Sequence, residues 1–186
     1  MVAVVIGIVN QAFAQFVTEQ LGDAVWAEAT ARAGVEDVVL VTTEAYPDEL
    51  TFQLAGHVCD IASIPLDDAL TLFGEHWITY AHSRGYGPLI DEAGGDLQNV
   101  LYGLEALHTR VALVFPDSDV PDFTAEGDSS SGMHLIYSSR RRGLGAFVLG
   151  TLQGLVKHFD EDVTIVREPL TPEGNGSTER FSLTWR

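Results

Sequence analysis

The run from Asp96 to Pro116 constrains this chain more than any other segment. Leu97, Leu101, Leu104, His108, Val111 and Phe115 recur at alternating spacings of four and three, the period that lays one continuous apolar stripe along an α-helix. Asp96 is a helix-capping residue just ahead of the stripe, and Pro116 lacks the amide needed to continue it. A long helix ending near Phe115 is thus fixed from both sides. One imidazole, His108, stands in the middle of the stripe. An imidazole facing an apolar core needs partners for its ring nitrogens, and no acid shares its face. A backbone carbonyl would serve, and so would a bound ligand.

Ahead of this helix the pattern is helical throughout. Ala12, Phe13, Phe16, Val17 and Leu21 form a stripe that Gly22 stops, and a second helix runs from Asp23 to Ala33, ending at Gly34. The β-branched run Val38 to Thr42 is too short to assign. Tyr46-Pro47-Asp48 reads as a turn capping a helix over about 48–62, and Pro65 opens another that carries Leu66, Ala69, Leu70, Phe73, Trp77 and Tyr80 on one side. Gly85 to Gly95 is broken by glycine and Pro88. Beyond Pro116 the period changes. Phe123 to Ala125 and Met133 to Ser139 read as strands around the polar tip Asp128 to Gly132, followed by a helix from Gly143 to Phe159. Val163 to Glu168 and Arg180 to Trp185 are further strands, separated by the turn-rich Thr171 to Ser177. The fold class is α+β, a helical N-terminal part over about 1–62 and a part with a small antiparallel sheet and helices over about 63–186.

The chain has 186 residues, 46% of them apolar, enough for one domain with a full core. Its formal net charge of −17 argues against nucleic acid or an anionic membrane as partner, since both reward positive charge. No apolar run reaches membrane-spanning length, and Met1 to Val9 lacks the basic leader and cleavage site of a signal peptide, so a cytoplasmic location without membrane insertion is expected. A lone cysteine, Cys59, allows no internal disulfide and no Cys-rich zinc site, and reads as a small core residue.

Against this acidity, three of the nine arginines stand together at Arg140, Arg141 and Arg142. They adjoin Tyr137 and Ser139, and on a strand Tyr137, Ser139 and Arg141 share one face. A phenol, a hydroxyl and a guanidinium that all donate hydrogen bonds suit a ligand bearing carboxylates or phosphates. A solvated basic turn explains the charges equally well when they are taken alone. Together with His108, however, the cluster supplies what heme b requires, an axial imidazole for iron and polar anchors for two propionates.

The residues carrying these features resemble a known family. Leu104-Glu105-Ala106-Leu107-His108, then Phe115-Pro116, Pro121 and Tyr137-x-Ser139-x-Arg141-x-Gly143-Leu144 are similar to the heme nitric oxide/oxygen-binding (H-NOX) domain, the sensor module of soluble guanylate cyclase and of stand-alone bacterial proteins. Gly7-Ile8-Val9-Asn10-Gln11-Ala12, Trp26 after Gly22, and Phe73-Gly74 extend the resemblance over essentially the whole chain. The resemblance implies heme b buried between the two subdomains, His108 as the proximal iron ligand, and Tyr137, Ser139 and Arg141 as a propionate clamp. It implies that Pro121 presses on and distorts the porphyrin, that Leu104 contributes to the heme site, and that Val9, Trp77 and Phe147 line the distal side. Oxygen binders of the family carry a distal tyrosine where this chain has Phe147.

Phe147 cannot donate a hydrogen bond, and Val9 and Trp77 are apolar apart from the indole N–H. Bound dioxygen is favoured by a donor, whereas NO binds ferrous heme strongly without one. The expectation is a heme-based gas sensor selective for NO, also binding CO, and not an enzyme. By the resemblance, NO weakens the bond from iron to His108, the porphyrin relaxes, and a separate sensor histidine kinase or cyclic-di-GMP enzyme reads the change. Two other readings stay open on sequence: an oxygen sensor or carrier, in which the Trp77 N–H replaces the missing hydroxyl, and a module that binds an organic anion without heme.

The remaining candidates carry less. His57, His76, His82, His134 and His158 fall at unrelated spacings without paired acids. Gly143-x-Gly145 with Gly150 has the wrong spacing for a nucleotide loop and reads as close helix packing. Ser129-Ser130-Ser131 has no base for nucleophilic chemistry and reads as a hairpin tip.

Overall fold

A computed structural model describes residues 4–88, 95–116, 118–170 and 176–186. It is α+β and divides into two compact units: Met1–Ala69 with Phe115–Asp119, and Leu70–Val114 with Val120–Arg186.

In the first unit, strand β1 (Val4–Ile6) runs into helix α1 (Gly7–Leu21), followed by α2 (Asp23–Ala33), strand β2 (Ala45–Pro47) and α3 (Asp48–Ala62). Ala12, Phe13, Phe16 and Val17 form the buried face of α1, and Leu54, Val58 and Cys59 that of α3. Gly34 ends α2 in the left-handed conformation at φ 68°, the stop that only a glycine makes without strain. Two expectations are corrected here. The greasy N-terminus is a strand before it is a helix, because Val5 pairs with Tyr46 in a two-stranded antiparallel ribbon. Tyr46 and Pro47, read as part of a turn, lie in the partner strand, and α3 begins at Asp48 as expected. Val38 to Thr42 forms no strand.

The chain enters the second unit within the first turns of α4 (Leu66–Ala81), which continues into one wider turn of π-type helix over His82–Tyr86, where Gly85 takes φ 90°. Residues 89–94 of the glycine-broken stretch lie outside the described residues, as do 171–175 of the later loop. The long stripe becomes α5 (Leu97–Val114). Its first turn is doubly capped: Asn99 N–H donates to Asp96 Oδ1 at 2.8 Å, and Leu97 N–H to Glu161 Oε1 at 3.0 Å. Two carboxylates thus satisfy amides that the helix leaves open and oppose the positive end of its dipole.

Strands β3 (Asp122–Asp128) and β4 (Gly132–Ser139) form a hairpin, helix α6 (Gly145–His158) follows, and β5 (Val163–Pro169) and β6 (Ser177–Trp185) complete a four-stranded antiparallel sheet in the order β3-β4-β6-β5. At the hairpin tip, Asp128 Oδ1 accepts from the hydroxyls and backbone amides of both Ser130 and Ser131, and the Ser130 hydroxyl leads these in holding the carboxyl down at about 2. Alternation puts Met133, Leu135 and Tyr137 of β4 inward beside Phe181 and Leu183 of β6, all at or below 1% exposure. The core of this unit lies on that sheet face, with Leu97, Val100 and Leu101 of α5 and Val148, Leu152 and Leu155 of α6.

Helices α4 and α6 approach to backbone contact. A β-carbon at Gly74 would strike the Phe147 carbonyl, and one at Gly150 the Thr71 carbonyl. The glycines near Gly143 are thus packing residues in part, since Gly145 likewise leaves room for the Glu179 carboxylate.

Candidate functional site

His108 sits on α5 one turn after Leu104, and its Nδ1 lies 2.8 Å from the Leu104 carbonyl oxygen. A carbonyl only accepts, so Nδ1 carries the proton and Nε2 is left with its lone pair. Nε2 has no hydrogen-bond partner among the described residues. Burial pushes the pKa of His108 below its ordinary value of 6.5, outweighing the Leu104 hydrogen bond and the nearby Asp122 charge, which act the other way. The side chain is a neutral, oriented imidazole with one unused basic nitrogen, which is what a metal ligand must be before it binds. Leu104 contributes through its carbonyl, a role that its apolar side chain could not announce.

The stripe behaves differently along its length. Leu97 and Leu101 are fully buried, whereas Leu104, His108 and Val111 are half-buried. The C-terminal half of α5 thus presents an apolar face that is only partly covered.

Phe123 links His108 to the sheet. Its ring lies 4.8 Å from the imidazole and 5.5 Å from the ring of Tyr137, its register partner across the hairpin. His108 and Tyr137, 29 residues apart in sequence, are thereby held in one neighbourhood. Tyr102 Oη donates to the Gly127 carbonyl at 2.5 Å and Ser129 N–H to Gln98 Oε1 at 2.7 Å, pinning α5 to the same hairpin.

Tyr137 is 1% exposed, and Ser139 follows on the same strand face. Arg141 does not. The strand ends at Ser139 and Arg141 lies in the bend after it, so the single-face geometry expected for the three is corrected. The chain turns there because hydroxyls bind both sides of Arg141: its N–H donates to Ser139 Oγ at 3.1 Å and its carbonyl accepts from Ser177 Oγ at 3.1 Å. The cluster is therefore a strand end plus a pinned bend.

Pro121 is half-buried directly before β3. Phe147 is half-buried on α6, its ring 5.2 Å from that of Phe73 on α4. Trp77, also on α4 and half-buried, packs on the core and stacks on Tyr80 at 6.2 Å and 22°. Val9 is half-buried on α1, in the other unit. The structure thus brings His108 and Tyr137 together, joins Ser139 to Arg141, and sets Phe147 and Trp77 on the α4–α6 pair.

Two contributors were not singled out from sequence. Phe123, the spacer between His108 and Tyr137, carries only the ordinary signal of an inward strand residue. Glu179, 4% exposed opposite Tyr137, is ion-paired to Arg167 Nε at 2.5 Å, and only the pairing of β5 with β6 reveals that partner. The remaining histidines supply no alternative centre. No group of three or more His, Cys, Asp or Glu among the described residues is placed to hold a metal ion. Burial raises the pKa of the Cys59 thiol, so it is no activated nucleophile.

This donor set fits an iron porphyrin, with an imidazole nitrogen of fixed tautomer in a partly covered apolar face, the Tyr137 ring linked to it through Phe123, and Ser139 at the end of the Tyr137 strand and Arg141 in the bend after it as groups suited to carboxylates. Comparison with known proteins defines the same class. The Haem-NO-binding (HNOB) family model matches residues 6–167, and the chain belongs to that family of heme-binding gas-sensor domains. It is 25% identical over 160 residues to the soluble guanylate cyclase gcy-31 of Caenorhabditis elegans, covering 86% of this chain and 23% of that protein. It is 33% identical over 101 residues to the soluble guanylate cyclase subunit beta-2 of Rattus norvegicus, covering 54% of this chain and 15% of that one. The chain spans about a quarter or less of the length of these relatives. Among solved structures it shares the fold of an oxygen-binding H-NOX domain related to soluble guanylate cyclases, with TM-score 0.86, 17% identity and 98% and 95% of the two chains covered. An H-NOX protein from S. oneidensis in the Fe(II)NO state gives TM-score 0.82, 22% identity and coverage of 96% and 99%. Family membership sets aside the heme-free module. No helix among the described residues is long and apolar enough to cross a membrane.

Proposed function

We propose that this chain is a single H-NOX domain binding heme b, and that it senses NO in the cytoplasm without enzymatic activity of its own. The observation that carries the proposal is the bond from His108 Nδ1 to the Leu104 carbonyl, which leaves Nε2 as an aimed, unprotonated donor. His108 would hold the iron through Nε2. Tyr137, Ser139 and Arg141 would hold the propionates, Leu104 and Pro121 would pack the ring on the His108 side, and Val9, Trp77 and Phe147 would line the opposite side. When bound, the heme would supply an iron able to take a diatomic ligand.

The chain's residues decide which ligand stays. Phe147 offers no proton to a bound gas, so dioxygen loses the donor that would retain it, while NO does not need one. His108 is the point of coupling, because α5 is capped at its start by Asp96 and Glu161 and tied to the hairpin by Tyr102. A change in how firmly His108 is held therefore acts on a whole rigid element. A sensor histidine kinase or a cyclic-di-GMP enzyme would read that change, steered by the acidic surface.

Absorption spectra of the reduced, heme-loaded protein test the reading. NO and CO are each expected to shift the Soret band, and air is expected to produce no stable oxygen complex. A persistent ferrous–oxygen spectrum would instead favour the oxygen-binding reading.

A further inference from the structure

The loop between α2 and β2 is irregular in outline but fixed in detail. Val38 N–H donates to the Val35 carbonyl at 3.0 Å, Val41 N–H to Tyr46 Oη at 2.7 Å and Ile8 N–H to the Thr42 carbonyl at 3.0 Å, while Gln11 donates to the Leu40 carbonyl. Gly7 N–H donates to the Glu44 carbonyl at 2.7 Å, and a β-carbon at Gly7 would strike the Val41 carbonyl and the Tyr46 ring. The backbone is thus anchored to both α1 and β2. Its side chains nevertheless point outward: Val38 is 46%, Val39 80% and Val41 37% exposed. Three β-branched apolar residues on a rigid knuckle contribute little to their own core, and an apolar patch of this kind marks a contact surface.

Charge selects the occupant. Glu36, Asp37 and Glu44 flank the valines and are exposed. Over residues 1–69 the sequence holds eleven carboxylates against one basic side chain, Arg32, which is already paired with Glu28 at 2.5 Å. A second copy would bring the same carboxylates face to face, and nucleic acid and anionic lipid are repelled as well. We infer that residues 36–44 form a docking knuckle for a protein partner that presents an apolar centre rimmed by lysine or arginine. Apolar contact supplies the centre and steered encounter the orientation.

The test uses the whole chain, isotope-labelled, titrated with a synthetic peptide of alternating lysine and leucine. Glutamate–leucine and lysine–serine peptides serve as controls. Amide shifts are expected to centre on residues 36–44 with the lysine–leucine peptide alone. The triple variant Val38→Ser, Val39→Ser, Val41→Ser should weaken binding roughly tenfold, and Glu36→Gln, Asp37→Asn, Glu44→Gln should flatten the salt dependence. The second variant leaves the apolar residues in place and decides the matter if the first misfolds. Equal binding by the lysine–serine peptide, shifts centred elsewhere, undiminished affinity in the variants, or a dimer that the valine substitutions dissolve would each overturn the inference.

Discussion

His108→Gly protein, expressed and purified as the parent is, should carry no Soret absorbance, and added imidazole should restore it. The expectation rests on the division of labour at the ring. Nδ1 spends its proton on the Leu104 carbonyl at 2.8 Å, so the one remaining basic atom is Nε2, and glycine removes both. Changing a group that merely orients a metal ligand costs about 10–100-fold in affinity, and removing the ligand itself should cost more. The fold should survive, because His108 is half-buried while Leu97 and Leu101 carry the burial of α5. Free imidazole fits the space left and supplies the same nitrogen. Retention of heme by the variant would mean that another residue ligates the iron.

Acid should act on the same atom. Burial lowers the folded pKa of His108 below 6.5, so as pH falls the unfolded chain takes up a proton before the folded one does. The stability linked to this residue is therefore complete above the ordinary pKa and is lost as pH falls from 6.5 through the lowered folded value. The proton also occupies Nε2, so the affinity of His108 for iron should begin to fall over the same acid range, with release following at lower pH. A stability profile that His108→Gly leaves unchanged on its acid side would contradict this.

Phe147→Tyr should convert a protein that does not retain oxygen into one that does, raising oxygen affinity by roughly ten- to hundredfold. That is the effect of one hydrogen bond to a partly charged acceptor, about 1.5–3 kcal/mol. NO affinity should change far less, and stability little, because the new hydroxyl extends from a half-buried ring that lies 5.2 Å from Phe73. Oxygen titration of the reduced parent and variant measures the ratio. An unchanged ratio would show that Phe147 does not face the ligand, and oxygen retention by the parent would point to Trp77 as the donor.

Much of this was legible because punctuation and period agreed. Asp96 and Pro116 bound one helix, Gly34 ended another, and alternation along Met133 to Tyr137 marked an inward strand face. What stayed hidden depends on contacts remote in sequence. The strand at Val4–Ile6 exists only because Ala45–Pro47 lies beside it, and neither segment is long enough to announce itself. The strand face of Tyr137 and Ser139 was readable, but the departure of Arg141 from it is made by Ser177, 36 residues away. His108 stood out as the imidazole in an apolar stripe, yet the choice of nitrogen needed the helix built, since only then does the Leu104 carbonyl come within reach.

The most direct test of the account is a diffraction structure of the reduced, heme-loaded protein. It should show iron bonded to His108 Nε2, Nδ1 still within hydrogen-bond distance of the Leu104 carbonyl, and the propionates against Tyr137, Ser139 and Arg141. Iron held by any other side chain, or His108 turned to present Nδ1 to the metal, would contradict it.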